Sequence, residues 1–170
     1  PRVFDDSELM LIELIAGMSA NYFTTSCNGG NQIVDDQLIT MAQNWQQSRR
    51  LPINYSHAMW QVQGRHLDDT VISRNYYDCQ QTEQGMSVSL AHSQGCSLEA
   101  LLSIGVVGNT LQRMVAMTND PAEILERTNA CIWEGTAGAQ FADALQIALD
   151  ADTGRVTYSC AGEMILLVVT

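Results

Sequence analysis

The chain has 170 residues, 46% of them hydrophobic, and carries 19 acidic against 8 basic side chains for a formal net charge of −11. Every basic residue is an arginine, and lysine is absent. This balance argues against nucleic-acid binding, which depends on neutralising phosphates with Lys and Arg, and against recruitment to an anionic membrane surface.

The length suits one domain with an appendage. No signal-like segment opens the chain, and its start at Pro1 reads as an excised piece. The apolar run Ile165 to Val169 is too short to span a bilayer. Cys27, Cys79, Cys96, Cys131 and Cys160 lie far apart, without CxxC or CxxH spacing. That pattern predicts reduced, mostly buried thiols in a cytoplasmic protein and does not favour a zinc site.

Asp5, as a cap, and Glu8, three residues on, open a helix. Leu11, Leu14, Ile15, Met18 and Tyr22 continue it at helical spacing, and Asn28-Gly29-Gly30 breaks the pattern. A second helix is expected from Val34 to Arg50, with Leu38, Met41, Ala42 and Trp45 on its buried stripe and Pro52 as its stop. These helices either form a hairpin or dimerisation surface or cover a sheet.

From Ser56 the period changes to 2. Three strands in a meander are predicted at 56–66, about 70–80, and 85–92, with Met86, Val88, Leu90 and His92 on one face. Leu98 to Met117 reads as an apolar helix in which Gly105 and Gly108 admit a close neighbour. Asp120-Pro121-Ala122-Glu123 is a capped helix start, with Asp120 and Glu123 forming a capping box. A strand is predicted from Phe141 to Leu149, a turn at 150–154, a return strand from Val156, and a last strand from Met164 to Val169. The order predicts an α+β fold with antiparallel sheets and helices on their outer faces.

Several strings in this order resemble the SpoIIE/RsbU branch of the PP2C-type (PPM) serine/threonine phosphatases. Ala42 to Pro52 is similar to the family's Gln-x-Ser-Leu-Leu-Pro helix end, and Val62-Gln63-Gly64-Arg65-His66-Leu67 to its Gly-Arg strand. Ile72 to Asp78 falls where the family has V-G-G-D-[FW]-Y-D. Phe141 to Gly162, through Leu149-Asp150-Ala151-Asp152-Thr153-Gly154, is the most specific match. The resemblance implies a PP2C-like antiparallel β-sandwich flanked by helices (αββα), incomplete at its C-terminus. It implies a helical segment at 1–53 serving regulation, linkage or dimerisation, and a phosphatase-like domain at 54–170.

The family's chemistry uses two Mn²⁺ or Mg²⁺ ions held by Asp carboxylates, and hard dications need charged oxygen ligands. Two of those Asp positions match Asn75 and Ala91, and His92 matches the adjoining carbonyl ligand. A neutral amide and a methyl group do not replace two anions, so the resemblance implies a degenerate metal site with no cofactor. The expected role is a pseudophosphatase output module in a bacterial response-regulator pathway. The candidate binding face comprises Arg74, Tyr76, Tyr77, Asp78 and Ser93. The partner would be a regulatory protein of a sigma-factor or anti-sigma pathway, and the N-terminal helices would support a homodimer. The alternative is a Mn- or Mg-dependent phosphatase acting on a phosphorylated regulator such as an anti-anti-sigma factor. His92 and Ser93, as neighbours on a strand, are expected to point to opposite faces and not to form a catalytic pair.

Overall fold

The computed structural model describes residues 53–57, 59–65, 73–94, 98–135 and 141–167, together with Thr40 and Asn44, which are helical. The two helices expected before Pro52 otherwise lie outside the described residues. The chain divides into two compact units: Pro1–Leu51 with His66–Ser73, and Pro52–Arg65 with Arg74–Thr170. The second holds all the strands and helices that follow.

Its elements are β1 (Ile53–His57), β2 (Trp60–Gly64), β3 (Asn75–Thr82), β4 (Gly85–Ser93), α1 (Leu98–Val115), α2 (Pro121–Gly135), β5 (Ala142–Asp150) and β6 (Val156–Ala161). The first two pair as a separate antiparallel hairpin, and the other four form an antiparallel sheet in the order β3-β4-β5-β6. The single strand expected at 56–66 is therefore two. His57 pairs with Trp60, so the chain reverses at once and the meander does not run on into the larger sheet.

Alternation along β4 sorts the sheet into two unlike faces. Met86, Val88, Leu90 and His92 share one with Tyr77 and Cys79 of β3 and with Leu145, Ile147 and Leu149 of β5. The hairpin covers part of this face: Ile53, Trp60 and Val62 pack with Cys79, Met86, Tyr77, Val88 and Leu149. The Trp60 indole N–H also donates to the Asp150 carbonyl at 2.7 Å.

The opposite face is made of small residues. Ser87, Ser89, Ala91 and Ser93 lie beside Ala144, and all are buried. Small side chains let the helices approach closely, and Leu101, Ile104, Leu111 and Ile124 fill that layer. Gly108 marks the closest contact. A Cβ there would lie 2.5 Å from the Tyr76 ring. Gln146 is fully buried in the same layer, accepting from the Ser89 hydroxyl at 2.6 Å and donating to Ser87 Oγ at 2.6 Å. A buried amide satisfied on both sides does not carry the penalty of an orphaned polar group.

The start of α2 follows the expected cap with one change. Asp120 Oδ1 accepts the Ala122 N–H at 2.9 Å, but Glu123 does not return to the Asp120 N–H. Its carboxylate accepts from the Thr118 hydroxyl at 2.6 Å and from Arg127 at 2.5 Å, while Thr118 Oγ1 accepts the Asp120 N–H at 3.3 Å. Thr118 thus takes the place of the box's return arm. Asp120→Ala should lower stability by about 1 kcal/mol in urea denaturation, the ordinary value of a helix N-cap.

A further expectation is corrected. Met164 to Leu167 form no strand, and Ile165 and Leu167 are each 83% exposed. The chain leaves β6 through Gly162 at φ 85°, which turns it away from the ladder. Of the described cysteines, Cys79 is buried and Cys131 and Cys160 are exposed, all three as free thiols. Burial, and then the charge of Asp78, push the Cys79 thiol up to about 11. It therefore stays protonated at neutral pH and is a packing residue, not a nucleophile.

Candidate functional site

Antiparallel pairing of β3, β4 and β5 sets Asn75, His92 and Asp143 side by side at one end of the sheet, on the hairpin-facing side. His92 Nδ1 lies 2.7 Å from Asn75 Oδ1. With the amide oxygen as acceptor, Nδ1 is the donor of this bond. Next in the row, Asp143 Oδ1 accepts the Glu163 N–H at 3.2 Å. Gly162 is required there, because a Cβ would overlap the Asp143 carboxylate. The turn after β6 is thereby tied to the end of β5.

Ala91 is not part of this row. Its Cα partners are Tyr76 and Ala144, and it is only 2% exposed on the helix-facing side. Of the two positions matched to metal-binding Asp residues, one faces the hairpin side and the other is sealed beneath the helices. His92 is the β4 residue that stands across from Asn75.

The other candidate residues also divide between the faces. Tyr76, Asp78 and Ser93 alternate onto the helix side, whereas Tyr77 packs with the hairpin. Asp78 is engaged locally: Oδ2 accepts from the Tyr76 hydroxyl at 3.2 Å and from the Gln80 amide at 3.1 Å, and Oδ1 accepts the Cys79 N–H at 2.8 Å. The carbonyl of Arg74 accepts the Ser93 N–H at 3.0 Å, extending the β3–β4 ladder by one bond. Ser93 Oγ is buried with no partner, and its strand places it opposite His92, so the two form no catalytic pair.

A pair of hard dications does not fit this donor set. Asn75 supplies a neutral amide whose oxygen is already taken by His92, and Ala91 supplies nothing. Among the described residues no three His, Cys, Asp or Glu side chains converge as a metal site. Dications of this kind need several oxygen ligands, with carboxylates among them.

Asp143 is the site residue least visible in the sequence. Its signal was a lone carboxylate in the otherwise apolar stripe Phe141, Leu145, Ile147, Leu149.

An antiparallel sheet with helices on one face and a β-hairpin on the other is an α+β arrangement. The sequence profile of the family described as Stage II sporulation protein E (SpoIIE) matches residues 82–170, slightly more than half of the chain, and the chain belongs to that family. The SiaA-PP2C domain of Pseudomonas aeruginosa is similar at 18% identity and a TM-score of 0.49, over 54% of this chain and 38% of that one. The chain thus spans well under half the length of that structure. No curated protein matches it. Among the described residues no helix is long and apolar enough to cross a membrane.

Proposed function

We propose that this SpoIIE-family domain is a pseudophosphatase, a protein-binding output module of a bacterial signalling pathway in the cytoplasm that needs no metal. The observation that supports this most is the Asn75–His92 hydrogen bond. It ties up the amide oxygen of Asn75, the side chain that stands where the resemblance calls for a bridging carboxylate. Without such carboxylates, no pair of dications is held to lower the pKa of a water for attack on a phosphoester.

The proposed partner is a regulatory protein of the sigma-factor or anti-sigma kind. The strong acidity of the chain suits a partner with a basic surface. The proposed contact surfaces are the sheet end around Arg74, Asn75 and His92 and the segment 1–53, which would also serve a homodimer.

A turnover assay with a phosphoserine peptide and excess Mn²⁺ tests the reading. The expected rate is that of the peptide in buffer. Turnover abolished by Asn75→Ala would instead support the second reading, a phosphatase using other ligands.

A further inference from the structure

The four-stranded sheet ends in two outer strands, β3 and β6, and the sequence treats them differently. An open strand edge is a template for further pairing unless charges, prolines or local caps prevent it. On β3 the guard is Asp78, whose Oδ1 accepts the Cys79 N–H at 2.8 Å. On β6, Val156–Ala161 contains no charge and no proline. No described strand pairs with its outer side.

The register shows what that edge offers. The Asp150 N–H donates to the Arg155 carbonyl at 2.9 Å. Arg155 and, by alternation, Thr157, Ser159 and Ala161 therefore turn their backbone groups toward β5. The N–H and C=O groups of Val156, Tyr158 and Cys160 point outward. The side chains of these three share the hairpin side of the sheet with Leu149, Ile147 and Leu145. All three are exposed, Tyr158 at 58% and Val156 at 45%.

We infer that β6 pairs with β6 of a second copy of this chain, antiparallel across a two-fold axis. Such a contact must be self-complementary. Outward backbone groups of one copy must meet outward groups of the other, so residues 156, 158 and 160 face even-numbered residues. Among these registers, one sets Ser159 against Ser159 and Tyr158 against Cys160. It also sets Arg155 of each copy against Glu163 of the other, and both residues are exposed. Each end of the joined strands thus carries a pair of opposite charges. A chain of net charge −11 repels its copy over most of its surface. The uncharged strip from Val156 to Gly162 does not. This pairing is separate from segment 1–53 and goes beyond the pseudophosphatase reading.

Sedimentation equilibrium of the full chain tests it. The expected result is a concentration-dependent shift from the 18.7 kDa of one chain to twice that mass. Arg155→Glu and Glu163→Arg, each alone, should weaken the dimer by about tenfold or more, because like charges then meet at both ends. An equal mixture of the two variants should restore it, because every Glu of one then faces an Arg of the other. Tyr158→Pro removes an outward N–H, keeps the bonds to β5, and should also weaken the dimer. A monomer at all concentrations, a dimer indifferent to these substitutions, or a mixture that stays monomeric would each overturn the inference. A dimer held by segment 1–53 alone would respond to none of them. Metal binding and turnover bear on none of these readouts, so the inference can fail while the functional reading stands.

Discussion

Ala91→Asp should destabilise the domain by about 3 kcal/mol or more and gain no metal, although the family resemblance makes it look like a repair. Ala91 is 2% exposed beneath α1, between Tyr76 and Ala144 on the neighbouring strands. A carboxylate there is desolvated with no cation to pair with, and the added atoms overpack a layer of small side chains. Desolvation would raise the pKa of the new carboxyl in the folded state. The deficit should therefore be smallest in acid and grow as pH rises above the unfolded value of about 4. Urea denaturation of the variant at two pH values checks both the size and the slope. A variant as stable as the parent would show that Ala91 does not face the helices. Asn75→Asp combined with His92→Asp differs in kind. It would align three carboxylates, with Asp143, on one accessible row.

Gly85→Ala is expected to be at least as damaging, at about 3 kcal/mol or more. Gly85 opens β4 at φ 146°, a conformation that L side chains rarely adopt, and its Cβ would overlap the Leu149 carbonyl oxygen. Strain of that kind costs on the order of 1–3 kcal/mol by itself, and the obstacle is backbone, which cannot rotate aside. The clash falls where β4 pairs with β5, at Gly85 opposite Asp150, so the turns at that end should loosen together. Thermal unfolding measures the loss, and faster amide exchange at Ala151, whose N–H bonds to Gln84, would localise it.

Acid should loosen the same end of the sheet. Hydrogen bonds from the Thr153 backbone and side chain, then the Asp152 backbone and the charge of Arg155, hold the Asp150 carboxyl below the usual carboxylate range. A depressed folded-state pKa contributes stability that is present above the unfolded value of about 4 and is lost as pH falls through the folded one. Asp150→Asn keeps the accepting oxygen of the turn and should flatten this part of the acid profile.

How much of this was legible in the sequence follows from what each feature depends on. The alternation of Met86 to His92, the Asp120 cap and the 150–154 turn are local, and the structure keeps them. The strand predicted at 56–66 failed because the reversal between His57 and Trp60 carries no Gly or Pro signal. In the strand predicted at 164–169, the described residues 164–167 are not a strand, because an apolar run shows hydrophobicity but not pairing. At the site, the resemblance located Asn75 and Ala91 but could not say which face each would take. That depends on the β3–β4 register, in which a shift of one residue exchanges His92 for Ala91. Asp143 entered only through pairing with β4, which no local pattern encodes.

The proposed pseudophosphatase reading holds that this SpoIIE-family domain lacks the carboxylates that hold a metal pair. Calorimetric titration with Mn²⁺ of the unaltered chain beside the Asn75→Asp/His92→Asp variant tests it most directly. No saturable heat is expected for the unaltered chain, and saturable binding is expected for the variant. Stoichiometric binding of two Mn²⁺ ions by the unaltered chain would contradict it.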